Sequence, residues 1–178
     1  FNCNDYAEYG SKIKCNPAIK TPEDMLAIRQ AVKEGTIKVV ATDHAPHLKE
    51  EKQNSYAKAP SGIPLVQHSL QVMLELSRQG IFTLEEVVAR MSHGPAECFS
   101  IRERGFIREG YFADIAIVNL NLPDNTTTSS PAYKCGWSPF EGKTFSSSII
   151  HTFVNGTHVV CNGQLTGNKN SHNLEFNR

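Results

Sequence analysis

Val39-Val40-Ala41-Thr42-Asp43-His44-Ala45-Pro46-His47 is the stretch on which the fold reading turns: an apolar run stops at an acid, and two histidines and a proline follow. Residues Ile37 to Ala41 are β-branched or small apart from Lys38. They are too few for a helical pattern, so they predict a short strand covered on both faces. Pro46 forbids continued pairing, which places the side chains of Asp43, His44 and His47 in a loop just past the strand's carboxyl end. In α/β barrels and open α/β sheets, ligands bind at that end. An Asp after a strand also serves as an N-cap or Asx-turn residue, and His-Ala-Pro-His as a surface turn; on the local pattern both readings stand.

Upstream, Ile13 and Cys15 alternate with Lys12 and Lys14, which predicts another short strand. Asn16-Pro17 ends it, because the residue before proline is pushed out of helical conformation. A helix is expected from Thr21 as N-cap, with Pro22 at its first position and Glu23-Asp24 in its first turn. Its apolar face is Met25, Ile28, Ala31 and Val32, and Gly35 ends it. Strand, helix and strand over residues 12 to 42 make a βα crossover unit and hence a parallel sheet, with Asn16 and Asp43 at one edge.

Downstream, Leu48 to Ala59 is polar and without periodicity, and reads as a solvated, mobile loop. Pro60-Ser61-Gly62-Ile63-Pro64 follows, where glycine lets a backbone approach closely. Val66, Leu70, Met73, Leu74 and Ser77 have helical spacing up to Gly80, leaving Gln67 and His68 off the stripe as surface or packing groups. Thr83 and Glu86 form a capping box for a helix carrying Leu84, Val87, Val88 and Met91. Ser92 to Glu97 opens another short helix, in which His93 reads as structural. After about Ser100 the helical period gives way to β runs at Ala113 to Leu120, Ser146 to Val154 and His158 to Cys161. Asn155-Gly156 and Asn162-Gly163 mark hairpin turns around the last run. Asn121 to Pro139 is turn-rich, and the polar tail from Gly167 reads as frayed.

The 178 residues suit one domain or one and a half, and fall short of the roughly 200 that a whole (β/α)8 barrel needs. With Phe1 in first place, the chain reads as the carboxyl-terminal piece of a longer protein. Balanced charge, 18 basic and 18 acidic residues with no basic stripe, argues against nucleic acid or an anionic membrane. No apolar run is long enough for a membrane span. The five cysteines are odd in number and widely spaced, which fits reduced thiols in a cytosol better than a disulfide framework. Asn125-Thr-Thr and Asn155-Gly-Thr match the glycosylation pattern, but such short matches arise by chance.

Thr-Asp-His-Ala-Pro-His resembles the signature of the dihydroorotases, metal-dependent cyclic amidohydrolases of pyrimidine synthesis built on a (β/α)8 barrel. The resemblance implies that Asp43 closes strand eight, binds one of two Zn2+ ions and acts as general base and acid, and that His47 contacts substrate. His44 is not implied as a ligand and is expected to pack or hydrogen-bond within its loop. Lys14-Cys15-Asn16-Pro17 resembles the family's Lys-x-Asn-Pro-Pro-Leu-Arg segment at strand seven, whose Asn lines the substrate pocket, although Ala18 replaces the second proline and Lys20 the arginine. Ala59 to Ile63 is similar to an Ala-Pro-x-Gly-Ile segment whose backbone binds the substrate ring, which implicates Ser61 and Gly62. Gly105 to Asp114 resembles the exit from the barrel, and Cys135 to Gly142 also looks family-like.

The fold this implies is α/β: residues 1–102 as the last part of a TIM-like barrel, strands seven and eight with their helices; 103–166 as strands of a small β-sandwich; and 167–178 as a flexible tail. The implied activity is the reversible interconversion of dihydroorotate and N-carbamoyl-aspartate in the cytoplasm, with the small-molecule substrate as partner and a homo-oligomer left open. The family's remaining metal ligands lie on earlier strands, so the fragment alone is expected to be inactive. Allantoinases and hydantoinases share the barrel and the Asp but typically lack the second histidine, here His47. A non-catalytic subunit supporting a partner such as aspartate transcarbamoylase is the alternative outside catalysis. A β-domain binding module would explain only the region after residue 103.

Overall fold

The computed structural model describes residues 1–125 and 132–177. The order of elements is 3-10 turn Cys3–Asp5, helix α1 (Tyr6–Tyr9), 3-10 turn Gly10–Ile13, α2 (Pro22–Glu34), α3 (Lys49–Lys52), 3-10 turn Val66–His68, α4 (Ser69–Arg78), α5 (Leu84–Val88), π-turn Ala89–His93 and α6 (Gly94–Cys98). Strands β1 (Ile115–Asn119), β2 (Asp124–Asn125), β3 (Thr144–Phe145), β4 (Ser148–Val154), β5 (Thr157–Cys161) and β6 (Gln164–Leu165) follow. The molecule is therefore mixed α/β, with helices first and an antiparallel sheet after them.

Helix α2 begins and ends where its sequence says. Thr21 accepts from the Asp24 amide while the Asp24 carboxylate accepts from the Thr21 amide, a reciprocal cap, and Gly35 closes the helix at φ 84. Arg90 reinforces that end by donating to the Val32 carbonyl at 2.8 Å and the Lys33 carbonyl at 3.4 Å, where a cation meets the negative pole of the helix. Thr83 and Glu86 form the expected capping box of α5. Val32, Met73, Phe82 and Val87 form the core between α2, α4 and α5, and Ile37 and Val40 pack against it. Gly94 lies where a side chain would strike the Lys38 carbonyl, so α6 sits directly on the segment leading to Asp43.

Several expectations need correction. Neither residues 12–15 nor 37–41 join a ladder among the described residues: the first begins within a 3-10 turn, and in the second Val40 donates to Arg90 instead. A strand exists only with a neighbour to pair its amides, and the one parallel bridge nearby is His44 to Ile63. The apolar face of α2 is only partly covered: Val32 is 7% exposed but Ile28 is 57% exposed. Met25, Ile28 and Ala31 line an open cavity of about 960 Å³ together with Phe140 and Phe145. The supposed loop 48–59 contains α3, and Lys52 at its end is 2% exposed.

The β portion follows its turn signals. The sheet order is β1-β4-β5-β6, all antiparallel, and β2 pairs with β3 in a separate ladder. Among the described residues this is one four-stranded layer and a two-stranded ladder. Asn155-Gly156 and Asn162-Gly163 all have positive φ, as a primed hairpin turn requires. Asp114 is a turn brace, as expected: it pairs with Arg104 and accepts from the Asn155 amide at 2.8 Å. The tail is tied down where fraying was expected. Arg102 donates to the Glu175 carbonyl, Asn177 donates to the Ser100 carbonyl, and Asn170 bonds Asn155 and Thr157. Part of the turn-rich stretch 121–139, and the threonines of the Asn125 motif, lie outside the described residues.

His68 is 3% exposed, between Tyr133, Phe140 and Phe145, with Ser138 Oγ 3.4 Å from Nδ1. Burial pushes its imidazolium down from the ordinary 6.5, while the Asp124 carboxylate pulls the other way. The unfolded chain therefore takes up a proton near 6.5 that the folded chain refuses. Stability from this site is full above that pH and falls as pH drops from it toward the lower folded value. In urea unfolding between about pH 7 and about pH 5, His68→Phe is expected to show a shallower loss of stability than the parent; equal slopes would show that His68 contributes nothing to the pH dependence.

Candidate active site

The loop that carries Asp43 is built against residues 60–66. Ala45 donates to the Ile63 carbonyl at 3.2 Å, and His44 Nδ1 accepts from the amides of Leu65 at 3.0 Å and Val66 at 3.2 Å. A ring nitrogen that accepts carries no proton, so the proton of neutral His44 is on Nε2. Its ring also lies 4.9 Å from that of Tyr133. His44 was expected to pack or hydrogen-bond within its own loop; its bonds run instead to the separate segment at Leu65 and Val66. The Lys14 carbonyl accepts from Gly62 at 2.9 Å, which joins the segment before Asn16 to the same assembly.

Lys52 is the hub. Its Nζ donates to the carbonyls of Lys14 at 3.0 Å, Pro60 at 2.9 Å and Gly62 at 2.9 Å. Three oxygens match the three protons of an ammonium and compensate a buried charge that, among the described residues, no carboxylate neutralises. Burial pulls the Lys52 ammonium below the usual lysine range; the Cys15 thiolate charge opposes this and Lys14 adds to it. Cys15 in turn is pushed up, first by burial and then by the charge of Asp43.

His47 is oriented from three sides. Its Nε2 is 3.0 Å from the Ser61 carbonyl, which can only accept, so that nitrogen carries a proton. Its Nδ1 faces Glu51 Oε2 at 3.8 Å, and its carbonyl accepts from the Trp137 indole at 2.8 Å. Trp137 is 1% exposed and anchors the loop from the far side. Gly62 makes this packing possible: at φ +144 it has Ala45 O 2.5 Å and His47 Cδ2 2.9 Å from where a Cβ would be.

The structure brings His47, Ser61 and Gly62 into one cluster. Asp43 stands at the loop's head with φ 46, in the left-handed region that Asp tolerates better than most side chains. Asp43, Asn16 and Ser61 are exposed, and among the described residues no hydrogen bond engages the Asp43 carboxylate or links it to Asn16. Both backbone groups of Gly62 already have partners, so Gly62 is an internal brace. Sequence reasoning missed Lys52 and Trp137. Nothing in Lys49-Glu50-Glu51-Lys52 distinguishes the buried lysine from the exposed one, whereas the chain's single tryptophan beside Ser138-Pro139 was a signal, since buried indoles need an acceptor.

As a metal ligand, Asp43 offers an unengaged carboxylate oxygen, which suits a hard or borderline cation. No other His, Cys, Asp or Glu gathers with it into a three-ligand group among the described residues. The chain thus provides one ligand where a catalytic zinc site uses about three. The open cavity beside α2 lies elsewhere and includes none of Asn16, Asp43, His47, Ser61 or Gly62.

Residues 7–159 match the sequence profile described as the amidohydrolase family. The chain is 36% identical over 152 residues to a dihydroorotase of Endomicrobium trichonymphae, covering 85% of this chain and 36% of that protein. It is 35% identical over 165 residues to a dihydroorotase of Clostridioides difficile strain 630, covering 92% and 37%. In three dimensions it is similar to the L-hydantoinase (dihydropyrimidinase) of Arthrobacter aurescens, with a TM-score of 0.86, 26% identity, and coverage of 93% of this chain and 38% of that one. The chain spans little more than a third of the length of the curated relatives it matches.

Two substitutions probe the assembly. Lys52→Met removes the donor of three carbonyls, and with buried acceptors costing about 1–3 kcal/mol each, a loss of at least about 2 kcal/mol is expected in urea unfolding. Unchanged stability would show that water replaces the ammonium. Gly62→Ala forces a side chain into Ala45 and His47 at a strained φ, and is expected to cost about 1–3 kcal/mol. Its diagnostic readout is displacement of the His47 ring resonances in NMR spectra.

Proposed function

Because this chain belongs to the amidohydrolase family, we propose that it is the carboxyl-terminal third of a dihydroorotase, contributing part of a site that hydrolyses a cyclic amide and, in reverse, closes N-carbamoyl-aspartate to dihydroorotate in the cytoplasm. The observation that carries the reading is the arrangement at Asp43: an exposed carboxylate that no hydrogen bond engages among the described residues, at the head of a loop braced at His44, Ala45 and His47. In this reading residues 1–102 are the end of a (β/α)8 barrel containing strands seven and eight, and 103–166 belong to its small β-domain. The unpaired segments 12–15 and 37–41 and the uncovered face of α2 are then surfaces that the rest of the barrel would cover.

Two Zn2+ ions per site are proposed, with Asp43 as one ligand and the others on segments outside this chain. The metal, when bound, supplies a polarised carbonyl and a water acidic enough to attack near neutral pH. Asp43 takes the attacking water's proton on a carboxylate oxygen and returns it to the leaving ring nitrogen. His47 keeps Nε2–H on the Ser61 carbonyl and, when Nδ1 is protonated as well, donates Nδ1–H to the substrate carboxylate, which replaces the Glu51 carboxylate now 3.8 Å away. Asn16 and Ser61 hydrogen-bond the ring from the rim, while Gly62 contributes by fixing Ser61 in place. With only one of the metal ligands, the 178-residue chain by itself is inactive.

The test compares dihydroorotate hydrolysis by the intact zinc-loaded protein, its Asp43→Asn variant and this chain alone. Turnover by the intact protein, a loss of about 10³-fold or more in the variant with the fold retained, and none by the fragment are expected. Turnover of hydantoin in preference to dihydroorotate would point to the hydantoinase reading, and a folded, zinc-bound protein without turnover to a non-catalytic subunit.

A further inference from the structure

The β4–β5 hairpin carries donor groups that the hydrolytic reading leaves unused. His151, His158 and Cys161 each offer one ligand atom, and these atoms lie within 4.8 Å of one another, the one such cluster among the described residues. His151 Nδ1 and His158 Nε2 are 3.1 Å apart. Two ring nitrogens at that separation either share a proton or receive a cation in its place.

Strand register explains how the three meet. His151 pairs with Cys161 across the ladder, so they share a face of the sheet. His158 is three residues before Cys161, and strict alternation would send it to the other face. The ladder shifts between Thr152 and Phe153: Thr152 pairs with Val160 and Phe153 with His158, which leaves Val159 as an extra residue. That bulge turns His158 back to the face of His151 and Cys161. Phe153 stacks on the His158 ring at 4.5 Å and 12°, holding its plane. All three donors are half-buried, partly screened yet reachable from solvent.

We propose that His151 Nδ1, His158 Nε2 and Cys161 Sγ bind one Zn2+, with water in the fourth position, at a site separate from Asp43. Two imidazoles and a thiolate are the nitrogen and sulfur donors that zinc takes tetrahedrally, and they lack the oxygens that Ca2+ or Mg2+ would require. Bond lengths of about 2.0–2.1 Å to nitrogen and 2.3 Å to sulfur put tetrahedral ligand atoms roughly 3.3–3.6 Å apart, against 3.1 Å between the two ring nitrogens and at most 4.8 Å within the observed group. Binding releases the Cys161 thiol proton to solvent and pins β4 to β5.

The experiment titrates the intact protein with Co2+ as a spectroscopic stand-in and follows near-ultraviolet thiolate-to-cobalt charge transfer, which oxygen and imidazole ligands at a barrel site do not give. The band is expected in the parent and in Cys15→Ser, is lost in Cys161→Ser, and is displaced by Zn2+. His158→Ala, which keeps the thiolate, should weaken Co2+ binding at least tenfold, the smallest effect seen when even a group supporting a ligand is removed, about 10–100-fold. No band in the folded parent, a band that survives Cys161→Ser, or one abolished by Cys15→Ser would overturn the site.

Discussion

One ammonium ties together the segments that surround the candidate site. Lys52 holds carbonyls of Lys14, Pro60 and Gly62, and these belong to segments separated by more than forty residues of chain. The Lys14 oxygen also accepts from the Gly62 amide, while the Pro60 and Gly62 oxygens sit at a junction of irregular segments where no ladder takes up backbone groups. The charge itself is costly to bury. Charge and carbonyls compensate one another, and neither is tolerable alone.

Around that hub the candidate site divides into braced and unbraced parts. His44 is committed to the amides of Leu65 and Val66, His47 to Ser61 and, through its carbonyl, to Trp137, and Gly62 to Lys14 and Lys52. Among the described residues, the side chains of Asp43, Asn16 and Ser61 are left without a hydrogen bond, and of these only Asp43 is ionic. A site that must hold a reactive carboxylate in a fixed place benefits from such a scaffold, because geometry enforced by neighbours is not lost to rotation when a ligand arrives. The small sheet is a separate construction with its own logic, in which one extra residue in β5 decides which way a histidine points.

Legibility in the sequence differed by the range of the forces involved. Helix α2, its Thr21 cap and its Gly35 stop, the Thr83–Glu86 box and both Asn-Gly turns were readable because they arise from contacts a few residues apart. The motif at Asp43 and the Gly62 segment stood out as chemistry at an expected strand end. That 12–15 and 37–41 stay unpaired among the described residues was not readable: the pattern states a tendency, while pairing requires a partner's amides.

The sequence by itself determined the local elements, the family resemblance and the set of candidate groups, Asn16, Asp43, His47, Ser61 and Gly62. Only the tertiary structure decided that Lys52 is interior while Lys49 beside it reaches Glu141 at the surface, that Trp137 anchors a loop ninety residues away, and that the tail returns to Ser100. The physical reason is common to all three. Burial and hydrogen-bond satisfaction depend on which distant segments meet, and a lysine, an indole or a strand-like tail carries no local mark of its partner.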